Sequence, residues 1–225
     1  LVLKDGHDLQ FANEDLKNDL GIVLAATRHM GELFVHAGNG IKNNPEAVLT
    51  VVTENRHAQE LGCSARHASL EVLDNYDFAR RAVKVCGLCL EYLSPRDKND
   101  PEIVRDAIKE ASYSFSGAGD EIKDNKTFVR EAMQTYHVSF TSIGPSCKDD
   151  EEFVLPEVCQ NGDSLSLVSD RLKDNKEVVL GAVRNDGWAL RHASDRLKRD
   201  VDVVFAATRQ NRRAAQWAGV NVKAV

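Results

Sequence analysis

Apolar side chains in this chain come as adjacent pairs, each followed four residues later by another position that is apolar or Thr. The pairs are Ile22–Val23, Ala47–Val48, Phe78–Ala79, Ile103–Val104, Phe128–Val129, Phe153–Val154, Val178–Val179 and Val203–Val204. The later positions are Thr27, Val52, Val83, Ile108, Met133, Val158, Val183 and Thr208, and the residue before each is Ala in six cases. Such spacing describes the buried stripe of an α-helix, whereas a half-buried strand would alternate residue by residue. An Asp or Asn precedes each pair, at Asp19, Asn44, Asn75, Asp100, Asn125, Asp150, Asn175 and Asp200. These residues predict N-caps, because a short polar side chain accepts from the unpaired N–H groups of a first turn. Pro45 and Pro101 directly after two of them fit the first helical position, where a missing N–H costs nothing.

From Asn75 to Asp200 the caps recur with a constant period of about 25 residues, the length that marks a stacked array of one supersecondary unit. The interval from Asn44 to Asn75 carries six more. Glycine occupies one column of the repeat at Gly6, Gly31, Gly62, Gly87, Gly162 and Gly187, following five of the predicted helices, where a left-handed backbone is expected to end them. A shorter second helix is expected next, with Leu9 and Ala12, Phe34 and Ala37, Leu90 and Leu93, Phe140 and Ile143, Leu165 and Val168, and Leu190 and Ala193 buried. Pro95 and Pro145 should close two of these helices. A further apolar residue (Leu16, Ile41, Val72, Ile122, Leu172, Leu197, Val222) and a Lys then lead to the next cap. The expected fold is all-α, an α-solenoid of roughly eight stacked 25-residue helix-turn-helix repeats forming one elongated domain over 1–225.

Two places break the pattern. Arg-His-Ala-Ser at 66–69 matches the same string at 191–194, which puts the insertion upstream of Gly62, over Arg56–Leu61. Pro156 falls inside a predicted helix, and Glu157 replaces its small buried residue. A kinked or shortened helix is expected there.

With 42% apolar and 28% charged residues the chain can bury a core. No apolar run approaches the length of a membrane span, about 18 residues. There is no initiator Met and no capping unit at either end, so the native chain is expected to continue or to have been processed. A net charge of −6 argues against a general nucleic-acid binder. Arg209, Arg212 and Arg213 with Trp217 form a local basic exception. The lysines preceding the caps, among them Lys123, Lys148, Lys173 and Lys198, would line one edge of an array. Lys at a helix C-terminus already suits the helix dipole, and an anion-binding edge is the sharper alternative.

Five cysteines, an odd count, point to a reducing intracellular compartment rather than a disulfide framework. Cys86-Gly-Leu-Cys89 has C-x-x-C spacing at a helix start, but no second pair exists to complete a zinc site. Redox work there would require a depressed thiol pKa at Cys86. No phosphate-binding loop, G-x-S-x-G or H-E-x-x-H occurs, and His67 and His192 share one column, as packing or capping residues would. Nothing implies a cofactor or a metal.

The segment Leu172–Ser194, LKDNKEVVLGAVRNDGWALRHAS, is similar to the core of a short tandem repeat known as a domain of unknown function in protist, algal and some bacterial proteins. The resemblance is close over 170–210, clear over 1–50 and 97–130, and faint over 51–75 and 145–165. It implies an all-α array used inside cells and no established activity, so no functional residue carries over.

The expectation is a non-enzymatic scaffold or docking subunit that contacts other protein subunits in a larger assembly. The alternative is a solenoid that binds an anionic ligand or nucleic acid along its lysines. Specific contacts are expected where symmetry breaks, at Arg209, Arg212, Arg213, Trp217 and the exposed aromatics Tyr113 and Tyr136.

Overall fold

Residues 6–28, 30–55 and 63–219 are described by a computed structural model. The inserted segment 56–61, Gly62, Val222 and Lys223 lie outside them. Among the described residues the regular structure is helical throughout, with no strand. Eight long helices carry the paired apolar positions: α1 (Leu20–Thr27), α2 (Pro45–Glu54), α3 (Tyr76–Val85), α4 (Pro101–Glu110), α5 (Lys126–Tyr136), α6 (Glu151–Gln160), α7 (Lys176–Asn185) and α8 (Val201–Gln210). Every predicted cap closes its helix. Asp100 Oδ1 accepts from Glu102 N at 2.8 Å and Ile103 N at 3.1 Å, and Asn175 and Asp200 repeat the arrangement. The paired columns are buried except for half-buried Ile22, and Ala26, Ala82, Ala107, Ala132, Ala182 and Ala207 are buried between them.

The segment after each long helix differs from the single second helix expected. It is a 3₁₀ segment, such as Gly87–Tyr92 or Gly162–Leu167, followed by a short α-turn, such as Pro95–Lys98 or Asp170–Lys173; after Gly187–His192 the second piece is itself 3₁₀, Leu197–Arg199. Backbone bonds in these segments close at three residues, as where Cys89 N donates to Cys86 O (3.0 Å) and Ala193 N to Leu190 O (3.2 Å). Three residues per turn is the 3₁₀ repeat. Pro95 and Pro145 mark the joint, since each begins the α-turn.

Glycine serves a purpose other than the expected left-handed stop. None of Gly6, Gly87, Gly162 and Gly187 has a left-handed φ, but a Cβ on each would lie 2.2, 2.6, 2.5 and 2.5 Å from the carbonyl oxygens of Ala26, Ala107, Ala182 and Ala207. Glycine and alanine are thus two halves of one close approach between successive repeats. Where this column holds His137 instead, the backbone does turn left-handed (φ 56°), and α5 runs to eleven residues.

The chain forms two compact units, Leu1–Ile122 with Gln134–Val138, and Lys123–Met133 with Ser139–Val225. In the first, α1 packs on α2, α2 on α3 and α3 on α4, while the 3₁₀ segments pack in a second row. In the second, α6 packs on α7 and α7 on α8, again with a row of 3₁₀ segments beside them. Backbone bonds tie neighbours together within each unit. Gly38 N donates to Lys17 O (2.8 Å) and Gly119 N to Lys98 O (2.8 Å) in the first; Ser194 N donates to Lys173 O (2.9 Å) in the second.

The residue after each Lys adds a side-chain clamp whose partner depends on the next cap. Where that cap is Gly38, Gly119 or Gly144, the side chain of Asn18, Asn99 or Asp124 fills the space of the missing Cβ. Where it is Ser169 or Ser194, the hydroxyl donates to Asp149 or Asp174 instead. Such bonds join one repeat to the next within a unit, as expected of a repeat protein.

The expectation of a shortened helix at Pro156 is not met. α6 keeps ten residues, Pro156 lies exposed, and half-buried Glu157 accepts from the Ser164 hydroxyl at 2.6 Å.

Candidate functional site

The lysine edge is occupied locally. Lys148 Nζ donates to the Thr141 carbonyl at 2.8 Å, and Lys42 Nζ makes the same contact with Val35 O at 2.6 Å. Lys173 faces Asp170 at 3.3 Å and Lys198 faces Asp195 at 4.0 Å, both three residues away. Burial, and then the neighbouring Lys123, pull the Lys148 pKa down. Lys42 and Lys148 thus cap carbonyls, and Lys173 and Lys198 face carboxylates.

Arg209, Arg212 and Arg213 are exposed, as are Trp217 and Tyr113; Tyr136, expected to be exposed, is half-buried. Arg209 does not stand with Arg212 and Arg213 alone. It lines an open groove of about 660 Å³ along α7 and α8 with Leu180, Arg184, Asp202, Phe205, Ala206 and Gln210. Phe205 is 66% exposed and Leu180 half-buried, so the floor is apolar and the margin carries two guanidinium groups. Leu180 and Phe205 escape a reading of the sequence because they lie one residue beyond the buried pairs. Their column turns from Arg80, Arg105 and Arg130 to Leu155, Leu180 and Phe205, and that change was the available signal.

Two further departures are buried in the first unit. Asp97 stands in the column of Val72, Ile122, Leu172 and Leu197, is only 1% exposed, and has no hydrogen-bond partner for either carboxylate oxygen among the described residues. Burial pushes its pKa up; nearby Ser94 and Arg96 offset this in part, and Asp74 and Asp100 add to it. The other departure is sulfur. Cys86 and Cys89 are joined by Cys63 from the preceding repeat, and all three sulfurs lie within 4.8 Å of one another. The expectation of an isolated C-x-x-C pair is corrected here: stacking supplies a third thiol that no local motif announces.

Recurrent caps and close glycine–alanine seams between successive repeats define a tandem helical-repeat protein. The family model described as "Domain of unknown function (DUF4116)" matches residues 75–123, 125–173 and 175–223, and the chain belongs to this family. Each match begins at an N-cap (Asn75, Asn125, Asn175) and spans two periods of the repeat. No curated protein and no solved structure matches the chain.

Proposed function

We propose that the repeats of each unit stack in single file as an α-solenoid, and that the protein is a non-enzymatic scaffold or docking subunit working in a reducing compartment inside the cell. The observation that carries this reading is the groove along α7 and α8, where an exposed Phe205 and Leu180 sit between Arg184 and Arg209. Exposed aromatic and Arg side chains around an apolar floor are the usual anchors of protein–protein contact. The occupant this chemistry suits is a protein segment with an apolar side chain flanked by carboxylates. Five free cysteines, four of them buried, suit a compartment that keeps thiols reduced.

A photo-crosslinking residue at position 205, introduced in the native cell, tests the proposal. Cross-linked peptides should be acidic with an apolar anchor, and Arg209→Glu should abolish their capture while leaving the circular dichroism unchanged. Cross-links without acidic residues, or capture indifferent to Arg209→Glu, would sink it. The anionic-ligand reading has less support, because Lys148, Lys173 and Lys198 already face a carbonyl or a carboxylate. Salt-dependent binding to a polyanion, lost in the triple variant with Ala at those three positions, would reverse the order of the two readings.

A further inference from the structure

Cys63, Cys86 and Cys89 form a closed triangle of sulfur inside the first unit. Their exposures are 4%, 2% and 0%, and Cys63 Sγ lies 3.0 Å from Cys89 Sγ. All three are free thiols. The cluster draws on three different positions of the repeat. Cys86 is the extended residue that ends α3, Cys89 sits in the following 3₁₀ segment, and Cys63 precedes the 3₁₀ segment Ser64–His67 of the repeat before.

All three Sγ atoms lie within 4.8 Å of one another, close enough to share a single ion. Two successive repeats supply them, so the cluster is a product of stacking and not of one local motif.

We propose that Cys63, Cys86 and Cys89 form a three-thiolate site for a soft metal ion, with monovalent copper the best match. Thiolate sulfur selects Cu(I), zinc and iron–sulfur centres over harder ions. Structural zinc is almost always four-coordinate. No fourth His, Cys, Asp or Glu joins the three among the described residues, and their burial leaves little room for water as a fourth ligand. Monovalent copper is satisfied by three sulfurs in a plane. With metal–sulfur bonds of about 2.3 Å the sulfurs would stand about 4 Å apart, so the Cys63–Cys89 pair opens by about 1 Å. Binding releases the protons of the three thiols to solvent and changes no oxidation state.

The test is anaerobic titration of the reduced full chain with Cu(I) against a competing chromophoric chelator, and in parallel with Zn(II). One equivalent of copper should bind, with a copper-edge spectrum of three-coordinate Cu(I). Cys63→Ser, Cys86→Ser and Cys89→Ser should each weaken binding at least tenfold, and Cys147→Ser and Cys159→Ser should leave it unchanged. A second readout does not depend on the variants folding: in urea that exposes all five thiols of the metal-free chain to alkylation, copper should protect three of them. Failure to compete with the chelator, or protection of no thiols, overturns the site. Tight zinc with no copper overturns the copper assignment, and a Cys63–Cys89 disulfide in anaerobically purified protein overturns the metal altogether.

Discussion

The seam between α7 and α8 and the region from Cys63 to Asp97 are built on the same columns and filled differently. In the first, the interior column holds Leu172 and Leu197 and the small 3₁₀ column holds Ala189 and Ala214, all fully buried. In the second, Asp97 occupies the interior column, while Cys89 lies between Ser64 and Ser114 in the small one. Their frameworks nevertheless agree. The Gly87–Ala107 approach matches Gly187–Ala207, and Glu110 Oε2 accepts from Gly87 N at 2.7 Å as Gln210 Oε1 does from Gly187 N. The repeat thus separates two tasks. Caps, glycines and the backbone ladder hold the geometry, and this leaves individual interior positions free to carry polar atoms and sulfur.

The sharpest way to break the comparison is to move the acid. Leu172→Asp places an unpartnered carboxyl in the regular unit and removes a fully buried Leu; a loss of about 4 kcal/mol is expected in urea denaturation. Next comes the shared framework. Gly187→Ala presses a methyl group onto the Ala207 carbonyl and should cost about 2–3 kcal/mol. Gly21→Ala meets only the Asp19 carboxylate at 3.2 Å, at the exposed start of α1. It should be neutral or mildly stabilising, since Ala narrows the unfolded ensemble. Equal effects at the two glycines would refute the close-approach account.

The reverse exchange, Asp97→Leu, should stabilise the protein at neutral pH by about 1–3 kcal/mol, the cost of a buried polar group left unsatisfied. Its pH dependence has a definite sign. The folded pKa lies above the unfolded value, so between the two the native state holds the extra proton. Stability is then highest below the unfolded carboxyl pKa and falls as pH rises through the folded one. Thermal melts taken upward from the ordinary carboxyl pKa should show this fall in the native chain and lose it in Asp97→Leu. A small effect is expected at His137. Replacement by Gly relieves a left-handed backbone at an exposed site and should stabilise by about 0.5–1 kcal/mol, detectable as a small rise in Tm.

Much of the fold was legible because capping and helical burial are local. Asp100 or Asn175 needs only its own next three residues, and a stripe such as Val178, Val179 and Val183 needs only one helix. The 3₁₀ segments were less legible, because buried Cys89, Leu90 and Leu93 read equally well as one face of an α-helix. Glycine was located correctly and explained wrongly, because the atom it makes room for, the Ala207 carbonyl in the case of Gly187, lies in the next repeat. Of the proposed contact surface, Arg209 was visible as a charge, but Leu180 and Phe205 were not, since a column shared with Arg80, Arg105 and Arg130 suggests solvent.

Sequence alone determined the period, the caps, the buried faces and the all-helical class, because each depends on residues within about one helical turn of one another. Tertiary structure decided that Cys63 meets Cys86 and Cys89, that Asp97 is left without a partner, and that Phe205 and Leu180 share a groove. Those relations cross a seam between repeats, and a distance across a seam is set by packing that no single repeat contains.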